Sequence, residues 1–545
     1  MQKRLYFLVA MLLVFFTSTM MAQVTTSGIN GKVTAGGEDV IGATITAIHQ
    51  PSGTRYNAVT NDKGRYSIQG MRVGGPYTIT ISYIGYKDEA FNNVYLNLGE
   101  GSVYNADMKE DARQLGEVVV TGQKGLSATR TGAAQSIDAQ QIANMPSINH
   151  GIADVARLNP QLSTSNAGAM SFAGVNNRYN SFQIDGAMNN DVFGLTTNGS
   201  NGGQAGTQPV SMETIDQIQV SVAPFDVRQS GFTGGSINAI TKSGTNDFHG
   251  SAYYYGYNQN LIGKKYKMND GNYSSKYQKE HEYQLGFTLG GPIIKDKLFF
   301  FANYEKADKS YPNNYGLGAT GSKVDGEEAT AILNKVKELA SQQGVTYNGG
   351  FTNPDIYTKS DKAGVKLDWN VNDNNKFTFR WSLVNAKQLN SAGGISSLNT
   401  DDYSYDFKSL TNSFVGELQS RFSESLANEL RASYVAVRDK RDPGSPFPMI
   451  TIYNVGNGTV NIGNERSSMA NSLDQNIYTI EDNLTWYKGN HTFTFGTHNE
   501  FYNFANLFIQ DAYGSYYYNS YDDFMNGVIN RYRFGHQLQH LELLL

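Results

Sequence analysis

Strict two-residue alternation of apolar and polar side chains runs through the second half of the chain and limits what this half can fold into. Between positions 363 and 371 one alternate set is apolar, consisting of Ala363, Val365, Leu367, Trp369 and Val371. The pattern resumes after an Asn-Asp-Asn-Asn turn and recurs elsewhere, at 284–289, 377–383, 414–422 and 492–496. A period of two puts alternate side chains on opposite faces of a β-strand. These segments therefore predict strands with one apolar and one polar face.

Two kinds of β-protein contain such strands. In a soluble sandwich the apolar face forms the core, and in a membrane barrel it meets lipid. Short turns here alternate with long polar connections, such as 308–355, which carries a helical stretch at 327–342, and 438–469. Outer-membrane barrels have short periplasmic turns and long external loops. The connections therefore favour a membrane barrel, with Tyr and Phe triplets at 253–255, 299–301 and 516–518 as interfacial aromatics.

The first 22 residues predict a secretory signal peptide. Lys3 and Arg4 precede an apolar run at 5–16, and the following segment 17–22 ends in the small residue Ala22, after which cleavage is expected. The alternative, an uncleaved anchor, is disfavoured because a membrane-spanning helix needs about 20 apolar residues. The chain has no Cys, which excludes disulfides, thiolate metal sites and cysteine nucleophiles. A formal net charge of −5 indicates no nucleic-acid-binding surface.

Residues 28–109 alternate short strands and turns, which predicts a small antiparallel β-sandwich. Strands are expected at 43–48, 65–68 and 77–83, with an Asn-Asp-Lys-Gly turn at 61–64. The chain has no His-x-x-Glu zinc pair, no Gly-x-Ser-x-Gly nucleophile motif and no Gly-x-x-x-x-Gly-Lys-Ser/Thr phosphate loop. We therefore predict no catalytic residue, no metal ligand and no cofactor, and we do not expect an enzyme.

A Glu-Val-Val-Val-Thr-Gly run at 117–122 separates this sandwich from a different kind of sequence. A β-branched run next to Gly predicts a strand. Its polar flanks leave two interpretations open, a buried strand of the first domain and an exposed linker strand. Residues 129–245 are rich in Gly, Asn and Ser, with short helical and strand patterns and few large apolar residues. They predict an α+β domain that needs walls supplied by another part of the chain.

Several motifs resemble one family. Val-Ala-Arg-Leu-Asn-Pro at 155–160, Ile-Asp-Gly at 184–186 and Gly-Gly-Ser-Ile-Asn at 234–238 resemble the plug domain of TonB-dependent outer-membrane transporters. Ser-Gly-Thr-Asn-Asp-Phe-His-Gly-Ser at 243–251 is similar to the Oar-like branch. In the first domain, the motifs at 61–68 and 81–86 resemble a carboxypeptidase regulatory-like domain, which is often grouped with carbohydrate-binding-like folds.

The resemblance implies a mainly β protein with a small antiparallel β-sandwich, an α+β plug and a partial transmembrane antiparallel β-barrel. The expected domains are a signal peptide at 1–22, a carboxypeptidase regulatory-like sandwich at 26–110, a TonB box and linker at 112–124, a plug at 125–245, and an incomplete Oar-like barrel at 246–545. The expected location is the outer membrane of a Gram-negative cell, with the N-terminal domain in the periplasm.

The implied function is that of a receptor that binds an extracellular substrate and imports it through the plugged barrel with energy transmitted by TonB. The residues expected to contact TonB by strand addition are Glu117, Val118, Val119, Val120, Thr121 and Gly122. The other implied partners are outer-membrane lipid, a surface lipoprotein, and a substrate that is an oligosaccharide, a peptide or a siderophore. No cofactor and no nucleic acid are implied.

Two alternatives belong to other classes. One is an outer-membrane-anchored adhesion or carbohydrate-binding protein without transport, and the other is a secreted metallocarboxypeptidase relative, which the missing zinc pair disfavours. The pattern holds nine or ten strands, against about 22 in plugged transporters. Residues 537–545 are Leu-rich and do not alternate. The sequence therefore predicts a C-terminally truncated barrel that forms no working pore, because open strand edges are costly in lipid.

Overall fold

The computed structural model describes residues 24–535 apart from 111–118, 122–125, 128–132, 146, 148–149, 165–168, 197, 223–227, 230–231, 263–265, 268–272, 275–276 and 490. The predicted signal peptide at 1–22 lies outside the described residues, as do Glu117, Val118 and Gly122. No helix in the described part of the chain is both long enough and apolar enough to cross a bilayer. The predicted mainly β fold class is confirmed.

The N-terminal region is a two-sheet sandwich, called the sandwich below. Its strands are β1 (Ser27–Ala35), β2 (Glu38–Asp39), β3 (Thr44–His49), β4 (Thr54–Val59), β5 (Arg65–Met71), β6 (Gly74–Ser82), β7 (Glu89–Leu96), β8 (Gly101–Val103), β9 (Ala106–Asp107), β10 (Val119–Thr121) and β11 (Leu126–Ser127). One sheet has the order β11-β8-β1-β2, with β5 and β9 also on β1, and the other has the order β10-β7-β6-β3-β4. Alternate residues such as Ile45, Ile79 and Ile81 are fully buried between the sheets. The predicted strands at 43–48, 65–68 and 77–83 are therefore present.

The middle region, called the plug below, is built on a five-stranded sheet with two short helices. Its elements are β12 (Ala133–Asp138), α1 (Ala139–Asn144), α2 (Ile152–Ala156), β13 (Leu162–Thr164), β14 (Met170–Phe172), β15 (Ser181–Ile184), β16 (Ala187–Met188), β17 (Ile215–Val222) and β18 (Gly235–Thr241), with 3-10 turns at Asn177–Tyr179, Gly203–Ala205 and Met212–Thr214. The sheet order is β12-β17-β18-β15-β16. Its core holds Phe172, Ile215 and Ile218. Every residue of β18 is buried, because the strand is covered on both faces.

The third region is a nine-stranded antiparallel sheet, called the wall below, with its connecting loops. Its elements in chain order are β19 (His249–Asn258), β20 (Tyr266–Lys267), β21 (Tyr273–Ser274), β22 (His281–Ile294), β23 (Leu298–Tyr311), α3 (Gly326–Gln342), β24 (Ile356–Asn372), β25 (Asn375–Asn390), β26 (Ser397–Asn399), β27 (Tyr405–Ser423), β28 (Leu426–Pro443), β29 (Met449–Val455), β30 (Gly458–Ile462), β31 (Ala470–Lys488), β32 (His491–Ile509), β33 (Ser515–Tyr518), α4 (Tyr521–Met525) and β34 (Arg531–Arg533), with a 3-10 turn at Asp401–Tyr403. The wall order is β19-β22-β23-β24-β25-β27-β28-β31-β32. In the described residues β19 and β32 are its two ends.

The wall has apolar side chains on its outer face and charged side chains on its inner face, which is the reverse of a soluble protein. On β24 the outer set includes Val365 and Trp369, which are 36% and 43% exposed, whereas the inner set includes Lys362, Lys366 and Asp368, which are at most 6% exposed. On β22 the outer residues Leu285, Phe287 and Leu289 are likewise about half exposed. Apolar side chains outside and charged side chains inside are the arrangement of a wall that meets lipid on one face.

The wall strands connect in two different ways. Turns of only a few residues join β22 to β23, β24 to β25, β27 to β28 and β31 to β32, and long connections join the strands at the opposite end. Short turns mark the periplasmic end of outer-membrane barrels and long loops the extracellular end. Several strands have 16 to 19 residues, more than the roughly ten that span a bilayer. The long ends therefore project beyond the membrane.

The long connections form a small folded unit of their own, called the outer cap below. β26, β30, β29, β33 and β34 form one sheet, on which α3 and α4 pack through a buried apolar cluster. Asp325 caps α3 by accepting hydrogen bonds from the amides of Glu327 and Glu328. The predicted helix at 327–342 is confirmed. The Tyr triplet at 516–518 lies in β33 of this cap, not at a lipid interface, because it pairs in the cap sheet with β29 and β34.

Candidate functional site

The predicted TonB box is partly described, and its backbone forms a strand of the sandwich. Val119, Val120 and Thr121 form β10, which pairs in parallel with Ala90, Phe91 and Asn92 of β7. In the described part of the chain, β10 ends its sheet, with β7 as its neighbour on one side. An end strand offers a row of backbone donors and acceptors to a further strand. The pairing with β7 is what a strand of the first domain would show, and the position at the end of the sheet is what an exposed linker strand would show. The structure thus combines features of both interpretations left open by the sequence.

The Ile-Asp-Gly motif fastens the plug to the wall. Asp185 follows β15 at a tight turn and lies 3.4 Å from Lys366 Nζ and 3.2 Å from Arg380 Nε. The amide and hydroxyl of Thr241 also donate to its carboxylate, at 2.9 and 2.7 Å. Burial raises the pKa of the Asp185 carboxyl, but the two cations and the Thr241 donors outweigh burial and hold the pKa below its ordinary value. Asp185 is therefore a buried anion shared by two wall cations.

Gly186, the next residue, allows this close approach. Its φ of +72° is readily adopted by glycine, and a Cβ here would lie 2.5 Å from the guanidinium carbon of Arg431. Arg431 in turn is held by three wall carboxylates, those of Glu417, Glu429 and Glu481. The turn of the plug therefore rests directly on a charge cluster that the lumen face of the wall provides.

A second anchor joins the plug to β23 and β24 of the wall, four residues along β24 from Lys366. Ser211 donates a 2.6 Å hydrogen bond to Glu305, whose other carboxylate oxygen lies 2.7 Å from Lys362 Nζ. Tyr253 also donates to Glu305, at 2.9 Å. Glu305 and Lys362 are almost fully buried. Because Glu305 and Lys362 pair with each other and Glu305 also accepts hydrogen bonds, both charges can be buried away from water.

The extracellular side of the plug presents aromatic and apolar side chains. Val192, Phe193 and Leu195 lie in one exposed loop, and Phe193 meets Phe504 of the wall edge-on, with ring centroids 4.9 Å apart. Phe504 lies near the end of β32 (His491–Ile509) that is remote from its short turn. This loop and the inner face of β32 form an exposed, largely apolar surface at the long-loop end of the wall.

The periplasmic side of the plug is covered by the sandwich. The amide of Leu98 donates to Gln217 at 2.6 Å, and Gln219 donates to the carbonyl of Leu98 at 2.6 Å. Val73, Leu98 and Ile240 form a small apolar cluster across the same contact. A cavity of about 580 Å³ remains between the sandwich, the plug and the wall, lined by residues of all three, including Arg72, Asp216 and Lys366.

Most of these contacts have no counterpart in the sequence pattern. The Ile-Asp-Gly motif contains Asp185 but does not indicate its partners, and the alternation puts Lys366 and Arg380 only on the polar face of strands. Asp185 and Lys366 are 181 positions apart, so no local pattern connects them. The available signal was the charge on the lumen face of β24 and β25. In the described residues no group of His, Cys, Asp and Glu forms a metal site.

Two family models match the chain. The outer membrane beta barrel domain matches residues 240–320 and 319–543, and the carboxypeptidase regulatory-like domain matches residues 28–109. The TonB-dependent transporter Oar of Myxococcus xanthus is 28% identical over 299 residues, which are 52% of this chain and 27% of that protein. The probable TonB-dependent siderophore receptor PirA of Acinetobacter baumannii is 30% identical over 138 residues, 25% of this chain and 16% of that protein. The matched part is thus at most about a quarter of either relative.

Solved structures with similar folds come from the same kind of protein. The outer membrane transporter YddB from Escherichia coli has a TM-score of 0.48 at 13% identity, covering 71% of this chain and 50% of that one. The siderophore receptor PirA from Acinetobacter baumannii has a TM-score of 0.44 at 17% identity, covering 68% of this chain and 48% of that one. The relatives are transporters and receptors, not enzymes.

Proposed function

Because the chain belongs to the outer membrane beta barrel domain family, whose model matches more than half of it, we propose that it is a TonB-dependent receptor that imports an extracellular substrate. The protein is located in the outer membrane. In this proposal the substrate binds the extracellular face of the plug and the outer cap. TonB, anchored in the inner membrane, grips residues 117–122 and pulls, and the plug rearranges to open a path.

The observation that carries the proposal is the seating of the plug by Asp185 between Lys366 and Arg380. A plug held by buried ion pairs stays closed at rest, because separating the partners leaves charges in a site shielded from water. The same seating can be reversed without covalent chemistry when a force moves the plug as a body. No group in the mechanism needs to act as an acid, a base or a nucleophile, and the proposed function is not enzymatic.

The grip itself follows from backbone chemistry. Val119, Val120 and Thr121 lie in a strand at the end of a sheet, and an end strand accepts a further strand through main-chain hydrogen bonds. The proposed substrate classes are an oligosaccharide, a peptide and a siderophore, of which the last is favoured by the relatives named siderophore receptors. A surface lipoprotein on the outer cap remains a proposed partner.

Binding of the purified periplasmic domain of TonB to the full chain tests the proposal. Val119→Pro removes one backbone donor from the box and should lower the affinity by at least about tenfold, the loss expected for one to two lost hydrogen bonds. Val119→Ala keeps the backbone and should bind like the parent chain. An adhesion protein that only uses the barrel as an anchor would show no binding to TonB in any of the three chains, and this result would overturn the proposal.

A further inference from the structure

The sandwich lies across the outlet of the plugged wall. Its hydrogen bonds with the wall lie at the short-turn end of the strands. Asn370 donates to Thr54 at 3.0 Å, and the amide of Val59 donates to Glu424 at 3.1 Å. Asn370 lies two residues before the end of β24, next to the turn 373–374, and Glu424 lies in the turn between β27 and β28. These short turns form the periplasmic end, so the sandwich closes the side from which cargo would leave.

Contacts with the linker between plug and wall close the same side. The amide of Asn246 donates to the carbonyl of Pro51 at 2.8 Å, and Arg72 donates to the carbonyl of Gly244 at 3.3 Å. Arg72 also lies 3.4 Å from Asp368 of the wall. The sandwich is thus attached to the plug, to the wall and to the chain that joins them, and a cavity of about 580 Å³ lies beside these contacts.

We infer that the sandwich is a periplasmic gate, which covers the outlet at rest and leaves it when TonB engages the box. The inference rests on the proposed function, since it needs the box to be the TonB site. Import then requires two releases, first of the sandwich from the plug and then of the plug from the wall.

The position of the box couples the two releases. β10 is hydrogen-bonded to β7, so the box is itself a strand of the gate. A pull on the box is therefore transmitted to the sandwich before it reaches β12, the first strand of the plug. The contacts with the plug that must break are neutral amide and backbone hydrogen bonds together with the small cluster of Val73, Leu98 and Ile240. These neutral contacts can break and re-form without stranding a charge, whereas release from the wall also separates Arg72 from Asp368.

Cysteine labelling of the full chain in outer-membrane vesicles tests the gate, because the parent chain has no Cys. Val73→Cys puts the thiol in the contact between sandwich and plug, where Val73 is 4% exposed. Val33→Cys puts it in the core of the sandwich itself, and Ile84→Cys puts it on a surface position that is 96% exposed. The first variant reports release of the sandwich, the second reports its unfolding, and the third gives the rate for a free thiol.

With a maleimide reagent alone, Cys at 73 should react at least about tenfold more slowly than Cys at 84, because a buried thiol reacts only when the structure opens locally. Saturation with the periplasmic domain of TonB should accelerate the reaction at 73 at least about tenfold and leave that at 33 unchanged. Equal rates at 73 and 84 without TonB would overturn the gate, and so would an unchanged rate at 73 once TonB is bound. If TonB does not bind at all, the proposed function fails instead.

Discussion

The contact between plug and wall and the contact between sandwich and plug use different chemistry. The plug is held to the wall by charges that are at least nine-tenths buried, Asp185 with Lys366 and Arg380. The sandwich is held to the plug by neutral hydrogen bonds, such as those of Leu98 with Gln217 and Gln219. Its contacts with the wall include the ion pair of Arg72 with Asp368 and a hydrogen bond to Glu424, which is 58% exposed. Breaking a buried ion pair costs several kcal/mol, about 3–5 when one partner is removed, whereas a neutral hydrogen bond contributes about 1 kcal/mol.

This difference in contact strength indicates that the sandwich can leave the plug more easily than the plug can leave the wall. A contact made of neutral hydrogen bonds is exchanged for water at small cost, so the sandwich is suited to repeated release. The plug needs a larger input, which the proposed function takes from TonB. Four substitutions test this ranking.

Asp185→Asn should have the largest effect. The amide still fits the turn and can accept a hydrogen bond from Thr241, but Lys366 and Arg380 lose their counter-charge. We expect the free energy of unfolding of the chain to fall by about 3–5 kcal/mol, measured by urea denaturation in detergent. Asp62→Asn, on an exposed turn of the sandwich, is the control and should change it by less than about 0.5 kcal/mol. A similar small loss for both variants would refute the charged anchor.

The second largest effect is expected from a fall in pH, which should destabilise the sandwich more than the anchor of the plug. Burial, and secondly Arg72, lower the pKa of His49 in the sandwich to about 3. A histidine with a depressed folded pKa stabilises the fold above its unfolded pKa of 6.5, and this stability is lost as the pH falls from there towards 3. Between pH 7 and pH 5 the sandwich should therefore lose about 2 kcal/mol.

The plug anchor should resist the same change in pH. The pKa of Asp185 lies below its ordinary value of 3.8, so its contribution is present above that value and is lost only as the pH falls below it. Thermal unfolding of the sandwich at pH 5 and 7, followed in the parent chain and in His49→Asn, provides the measurement. His49→Asn should remove most of the difference between the two pH values, and an undiminished difference would contradict the assignment to His49.

Gln217→Ala probes the neutral contact directly. It leaves the buried amide of Leu98 without its 2.6 Å partner, which should weaken docking of the sandwich by about 1–2 kcal/mol. Protection of the Leu98 amide against hydrogen exchange measures this loss. Gln69→Ala, at an exposed position of the same domain, should leave the protection unchanged. A loss as large as that of Asp185→Asn would erase the distinction between the two contacts.

The smallest effect is expected for an exposed ion pair. Lys408 and Asp442 lie 2.5 Å apart on neighbouring wall strands, but both side chains are more than 40% exposed. Lys408→Ala should therefore cost about 0.5 kcal/mol or less in the free energy of unfolding. Asp185→Asn removes a buried charge and Lys408→Ala an exposed one, so comparing their losses in the free energy of unfolding separates the effect of burial from that of charge. Equal losses would show that burial does not determine how much an ion pair stabilises the chain.

The sequence predicted the fold class because its signals are local. Alternation at 363–371 and the short turn at 372–375 are visible within a few residues, and both recur in β24, β25 and the turn between them. The outer strands extend further than expected, with β28 reaching Pro443 where a loop from 438 was predicted. Polar residues such as Lys440 continue the pairing with β27, since beyond the membrane a strand does not need an apolar face.

The candidate site was less predictable because it depends on contacts between distant positions. The β-branched run at 117–122 predicted a strand, but its pairing with β7 depends on the edge of the whole sandwich and could not be derived from 117–122 alone. Likewise, the Ile-Asp-Gly motif indicated a plug, yet the partners of Asp185 follow only from which face of β24 and β25 points inward. The role of the sandwich at the outlet has no sequence signal, because its contacts use backbone groups and common polar residues.

Hydrogen exchange at two amides tests the central claim, that the sandwich releases before the plug. The Leu98 amide reports the contact between sandwich and plug, and the Thr241 amide, which donates to Asp185, reports the anchor between plug and wall. When the periplasmic domain of TonB binds the full chain, the Leu98 amide should exchange faster while the Thr241 amide keeps its protection. Faster exchange at Thr241 before or together with Leu98 would contradict the account.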